Sequence, residues 1–307
     1  MRSGRGGRTA VLKLYGLWDM LAYSVHGSPT PRGGSEDTVS RPHEDLPVIA
    51  ISTRLGTPGL PGEVSVARKG RLRKLRKLLV LAGRRSWRRA ARKGVAAAIE
   101  HRHVPFGHDF ITVVDVGAHH GQFALLALEI FPRSTILCVE PLGDAAARLR
   151  ATVEAAGRVT VLEAAAAAEE GQRHLHVSRK TDSSSLLPIL KPYVDAFPGT
   201  EESRTVSVEA QTLDSMVAER IRRPCLLKVD AQGGELEVLA GAEAVLRQVD
   251  VAYVECSFVE FYRGQALADE LILALFNCGL RLDGVYGLVR DARGRCLQAD
   301  LLFRRDS

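Results

Sequence analysis

Four short stretches carry the residues able to do chemistry: "VVDVGAHHGQF" at Val113–Phe123, "VEPL" at Val139–Leu142, "LLKVD" at Leu226–Asp230 and "VECSF" at Val254–Phe258. In each, an apolar β-branched run leads to an acid. Asp115, Glu140, Asp230 and Glu255 therefore stand at or near the tips of buried strands, where open α/β sheets place their ligands. In the first stretch Gly117 and Gly121 follow, with Ala118, His119 and His120 between them. Gly117 permits a tight turn, and Gly121 lets backbone approach a ligand where the next helix begins.

Dinucleotide enzymes spell this turn GxGxxG, because a pyrophosphate sits on the helix N-terminus. Here the spelling is GxxxG and the third glycine is missing. Asp115 would repel a pyrophosphate but suits the cationic amino-acid end of S-adenosylmethionine. Glu140 can accept hydrogen bonds from both ribose hydroxyls of an adenosine. The expected cofactor is S-adenosylmethionine. Lys228 and Asp230 alternate, so they face one side of their strand. The expectation is that Asp230 takes the proton of an acceptor hydroxyl, with Glu255 holding that acceptor and Lys228 beside them. The competing readings are Asp230 as a helix cap and Glu255 as an ion-pair partner of Lys228 or Arg263. Tyr262 reads as pocket wall or core. Two or three strand-tip acids could hold Mg²⁺ or act without it, so the metal question stays open. Adjacent histidines in a turn rarely point at one ion, which leaves His119 as a contact in the cofactor loop.

The elements that must position these residues follow a strand–helix alternation from about Phe110. "ITVVDV", "STILCVE", "RVTVLEA", "CLLKVD" and "VDVAYVE" read as strands separated by helical stretches. "TVSVEA" reads as an inserted strand, "GELEVLAGAEAVLRQ" as one helix, and "LRLDGVYG" with "GRCLQADLLFRR" as a terminal pair. This order predicts an α/β fold with a doubly wound, mostly parallel, Rossmann-like sheet. His174 and His176 alternate on a strand and face the surface; "SSS" at Ser183–Ser185 reads as a loop.

At this point the chain resembles the FkbM family of S-adenosylmethionine-dependent methyltransferases. "VVDVGAHHGQFALLALEIFP", "VEPL", "SSSLLP", "TLD", "LLKVDAQGGELEVLAGA", "VECSF" and "DLLFRR" are similar to its motifs and follow in its order, and "GVAAAIEH" resembles its lead-in helix. The likeness covers roughly residues 85–305. It departs from the usual pattern at His119, where the family has Asn, and at Gly234, where an aromatic is common. The resemblance implies a class I methyltransferase fold. It implies Asp115, Gly117, Ala118, His119, Gly121, Glu140 and Pro141 around the cofactor, and O-methylation of a hydroxyl on a sugar, glycolipid or polyketide-like acceptor. The alternative of another class is a noncatalytic binding protein of the same fold.

The chain has 307 residues and a net charge of +6, unevenly spread. Residues 1–105 hold 21 Lys/Arg against 7 Asp/Glu, the remainder 21 against 29. Basic character therefore belongs to the N-terminal third. Residues 1–66, rich in Pro, Gly and Ser, predict a tail without a core. Residues 67–104 predict a basic helical extension, two helices hinged at Gly83 with Leu72, Leu75 and Leu79 on one stripe. That extension is expected either to dock on the domain or to lie on an anionic membrane surface. No recognition-helix or RNP-type pattern supports nucleic acid. The methyltransferase domain is expected at 105–307. Five widely spaced cysteines without a CxxC pair read as reduced thiols of a cytosolic protein, with peripheral membrane contact left to the basic arm. Lys13, Gly16 and Asp19 interrupt the apolar opening and argue against a signal peptide.

Overall fold

The computed structural model describes residues 84–306 with the exception of His108. The expected tail and the leucine stripe of residues 67–83 lie outside the described residues.

Of the basic extension, one helix is described, α1 (Arg85–Arg92). It buries Trp87 and Ala90, and the Trp87 indole donates to the carbonyl of Leu125 at 3.1 Å. It stops with the paired C-terminal bonds Val95 N–H to Ala90 O and Gly94 N–H to Ala91 O. The expected lead-in helix over "GVAAAIEH" is not formed. Residues 95–98 run without helix, and a 3₁₀ turn covers Ile99–His103. Trp87, Ala90, Val95 and Ala97 belong to the same apolar cluster as Val113, Phe123 and Leu226, so this segment packs into the domain rather than beside it.

The strands follow in chain order. β1 (Thr112–Val116), β2 (Thr135–Val139) and β3 (Val159–Leu162) are separated by α2 (Gln122–Ile130) and α3 (Gly143–Val153). After an insertion come β7 (Cys225–Val229), α6 (Glu235–Ala240), α7 (Glu243–Leu246), β8 (Val251–Ser257), α8 (Ala268–Asn277), β9 (Leu280–Arg290) and β10 (Cys296–Arg305). The seven-stranded sheet has the order β3-β2-β1-β7-β8-β10-β9. Every pair is parallel except β8 with β10 and β10 with β9. This is the doubly wound, mostly parallel sheet that the alternation predicts. All five residues of β1 and of β7 are buried, as strands covered on both faces require. The order reverses between β1 and β7, and a crevice opens over the C-terminal ends at that switch.

Two elements differ from the sequence expectation. The helix expected over "GELEVLAGAEAVLRQ" is two, broken at Gly241 and Ala242. The inserted strand is part of a second sheet. β4 (Ala165–Ala166), β5 (Gly171–Ser178) and β6 (Glu202–Gln211) form three strands in the order β4-β6-β5. α4 (Lys191–Ala196) lies between β5 and β6, and α5 (Leu213–Val217), capped by the Thr212 hydroxyl, leads back to the main sheet. Cys138, Cys225 and Cys256 are buried free thiols. Among the described residues no helix is long and apolar enough to cross a membrane.

Candidate active site

The crevice at the switch point is a cleft of ≈ 260 Å³. Val116, Gly117 and Ala118 reach it from the β1 tip, Val139, Glu140 and Pro141 from β2, and Lys228, Asp230 and Ala231 from β7. Ala165, Ala166, Leu175 and Leu186 add an apolar wall from the insertion. Seven of the ten residues singled out in the sequence face this space: Gly117, Ala118, His119, Glu140, Pro141, Lys228 and Asp230. Asp115, Gly121 and Glu255 do not.

Neither turn glycine needs a ligand to account for it. Gly117 has φ +72°, and a Cβ there would stand 1.9 Å from the backbone oxygen of Asp230. Gly121, at φ +90°, would push a Cβ to 2.5 Å from the Leu149 side chain. So Gly117 lets the β1 and β7 tips touch, and Gly121 lets α3 close on the start of α2. His119 between them holds φ +46°, a left-handed conformation that Asn and His tolerate better than most residues. Its ring accepts or donates to Thr181 Oγ1 at 2.8 Å and stacks on His120 with centroids 3.6 Å apart. Burial lowers the pKa of both rings, that of His120 to about 4, so both are neutral at pH 7.

Asp115 meets a cation, but from the protein. It is fully buried beneath the cleft, and Lys228 Nζ lies 3.3 Å from its Oδ1. The ion pair follows the β1–β7 register, where Asp115 stands opposite Lys228, and both Asp115 carboxylate oxygens are buried without a hydrogen-bond partner. Burial pushes the Asp115 carboxyl up while Lys228 pulls it down; Asp230 and Asp115 together hold Lys228 charged. Lys228 also reaches Asp230 Oδ2 at 3.4 Å.

Glu140 ends β2 and is buried. Its Oε2 accepts the His119 N–H at 2.8 Å and its Oε1 the Leu142 N–H at 2.9 Å. Each oxygen keeps further lone pairs for hydroxyl donors. Burial pushes this carboxyl up to about 7 against the pull of those two N–H groups. A diol that donates to it would favour the ionised form. This fits an adenosine ribose, and the apolar wall fits an adenine ring.

On the β7 side the sequence reading missed the residue that organises the site. Gln232, at φ +51°, donates from Nε2 to Asp230 Oδ1 at 2.7 Å and to Glu255 Oε2 at 3.1 Å. Its Oε1 accepts the hydroxyls of Tyr262 at 2.6 Å and Tyr193 at 3.2 Å, and its backbone oxygen that of Ser185. The Ser-rich loop and Tyr262 are thus struts for Gln232. Tyr262 is 1% exposed and belongs to the core. No local sequence signal marks an amide in this role.

Glu255 is bound by amides, Gln232 and Gln298 (3.3 Å), not by Lys228 or Arg263. Burial, then repulsion from Asp230 and Asp300, push it well above the usual carboxylate range. The helix-cap role considered for Asp230 falls to Glu235, whose Oε1 accepts the N–H groups of Ala231 and Gly233 at 2.9 and 3.1 Å. Among the described residues no group of three or more His, Cys, Asp and Glu side chains is placed to hold a metal ion.

A curated 2-O-methyltransferase, NoeI of Sinorhizobium fredii (strain NBRC 101917 / NGR234), is 28% identical over 160 residues, 50% of this chain. The match spans 66% of that relative's length, just under two thirds. Fibrillarin of Aeropyrum pernix with natively bound S-adenosyl-L-methionine aligns over 67% of this chain and 72% of its own, at 13% identity and a TM-score of 0.40. Precorrin-6y C5,15-methyltransferase of Geobacter metallireducens aligns over 64% and 80%, at 12% identity and a TM-score of 0.36. The Methyltransferase FkbM domain profile matches residues 115–282, more than half of the sequence, and the chain belongs to that family.

Proposed function

We propose that the protein transfers a methyl group from S-adenosylmethionine to a hydroxyl oxygen of a small-molecule or glycan acceptor. The observation that carries this reading is the pairing of two half-sites on one cleft. The buried, diol-ready carboxylate of Glu140 lies on one side of the switch point, and Lys228 with Asp230 on the other. Family membership supports the same chemistry. A noncatalytic binding role gives no reason for the second half-site.

S-adenosylmethionine, when bound, supplies an electrophilic methyl group on a sulfonium. The chain's own share is alignment and proton handling. Glu140, His119, Gly117, Ala118 and Pro141 would hold the nucleoside end, and Asp230 would orient the acceptor hydroxyl. Lys228 Nζ lies 3.4 Å from Asp230 Oδ2 beside the cleft. No step is routed through Mg²⁺, since the strand-tip acids do not gather into a donor set. The proposal extends to the basic arm, which would rest on an anionic membrane surface; α1 continues it with exposed Arg89 and Arg92.

Calorimetry of the full chain with S-adenosylmethionine and with NAD tests the cofactor, and transfer of labelled methyl to a panel of methyl glycosides tests the acceptor class. Binding of S-adenosylmethionine alone is expected. Preferential binding of NAD would overturn the reading.

A further inference from the structure

The far edge of the main sheet carries bare apolar surface. Of the seven large apolar side chains that stand exposed among the described residues, five lie on α8 and β9. They are Leu273, Phe276, Leu282, Val285 and Leu288, each 40–52% exposed. Single exposed apolar side chains need no explanation, but a cluster of them marks an interaction site. None of the five lines the cleft.

The cluster is the core running on past the last strand. α8 turns Ala268, Leu271 and Leu275 inward, which leaves Leu273 and Phe276 on its outer flank. Antiparallel pairing sets Leu282 opposite Phe303 and Val285 opposite Leu301, and directly opposed residues share a face of the sheet. Phe303 and Leu301 belong to the core cluster that also holds Leu271 and Leu275. The α8 side of β9 is therefore apolar, and α8 does not cover it. β9 is the outermost strand. Three register shifts along its pairing with β10 bend it, so the edge is a poor template for a further strand. What fits is a packed face. The charges around it are already matched, Arg281 Nε donating to Asp306 at 2.8 Å and Arg304 Nε to Asp283 at 2.6 Å. Covering the face leaves both pairs intact.

We infer that this face is the contact between two copies of the chain, related by a twofold axis at Leu273. The charge pattern along α8 selects a second copy as the occupant. Asp269 and Glu270 stand exposed in its first turn. Past its other end, the Arg281 guanidinium lies over the Phe276 ring, 3.8 Å from the centroid. Two α8 helices crossing antiparallel at Leu273 set Glu270 of each copy against Phe276 of the other, three positions either side of the axis. Each acid then meets the Arg281 that covers that ring. The contact occurs twice, as an isologous interface requires. The size fits as well. The five side chains offer on the order of 400 Å² of apolar surface, half of what each partner gives to a standard interface and close to its usual apolar share. The inference does not rest on the proposed methyl transfer.

Sedimentation of the full chain over a range of concentrations tests it. A dimer is expected. A monomer throughout would overturn the inference, including the case in which the leucine stripe of residues 67–83 covers the face instead. Leu273→Asp should be monomeric with unchanged circular dichroism, since the side chain is exposed in the single chain. A dimer retained by this variant would place the interface elsewhere and overturn the assignment. Leu273→Cys puts a thiol on the axis, and mild oxidation should give a covalent dimer in which peptide mapping finds residue 273 bonded to residue 273. Absence of that link would refute the twofold arrangement. Arg281→Glu should raise the dimer Kd roughly 10-fold or more, because two acid–arginine contacts become repulsive. An unchanged Kd would also refute it.

Discussion

Removing the Lys228 charge should make stability depend on pH in a way that identifies its partner. In Lys228→Met, Asp115 stays wholly buried with its counter-charge gone. A buried lone carboxylate escapes by taking a proton. The cost of that escape at pH 7, measured from the ordinary aspartate value of 3.8, is 3.2 units or about 4.4 kcal/mol. This agrees with the roughly 3–5 kcal/mol for breaking a buried ion pair from one side. The sign follows from the proton count. The folded variant holds a proton that the unfolded chain has released above pH 3.8, so its stability falls by about 1.4 kcal/mol per pH unit as pH rises. The deficit against wild type should be about 1.6 kcal/mol at pH 5 and about 4.4 at pH 7. Urea denaturation from pH 5 to 8 measures it. The double variant Asp115→Asn with Lys228→Met should regain most of the loss and show no such slope, because both charges are gone. A deficit that does not change with pH would mean that Lys228 does not neutralise Asp115, and the account of the site's foundation would be wrong.

Three further outcomes are expected. Gly117→Ala places a methyl group against the Asp230 carbonyl and adds a left-handed penalty of about 1–2 kcal/mol, so thermal melting should show a clear loss of stability, with S-adenosylmethionine binding lost alongside. Glu140→Ala should weaken S-adenosylmethionine by roughly 1.5–3 kcal/mol in calorimetry; in the wild type, affinity should fall as pH drops through about 7, where Glu140 becomes protonated. Full-length protein should bind anionic vesicles at low salt and release them as salt rises, and a chain lacking residues 1–83, which keeps the buried Trp87 and Ala90, should bind far more weakly.

Much of the frame was legible because strand tips announce themselves. An apolar run ending in Asp or Glu, followed by glycine, places Glu140 and Asp230 correctly at the cleft. What chain order hides is lateral contact. Asp115 reads as a strand-tip acid near a ligand, and nothing in chain order shows that the parallel register also sets Lys228 opposite it. Glu255 reads like Asp230, yet Gln232 and Gln298 close over it. The expected helix over Gly94–His101 has good local propensity, but the segment turns inward so that Val95 and Ala97 join the core. Gln232 lies inside a motif the sequence shows, but its partners, 2 to 47 positions away, follow no pattern that a single sequence displays.

The close approach of Gly117 to the Asp230 carbonyl ties the proposed nucleoside side of the cleft to the proposed acceptor side as one mechanical piece. A recombination that imported residues 230–235 from a relative, in order to change what is methylated, would arrive with a carbonyl path shaped by that relative's own first turn. The two turns have to travel together. Acceptor range in this scaffold is then most freely altered from the other walls, the insertion that carries Thr181–Leu186 and the segment around Glu100, which border the same cleft without gripping the Gly117 turn.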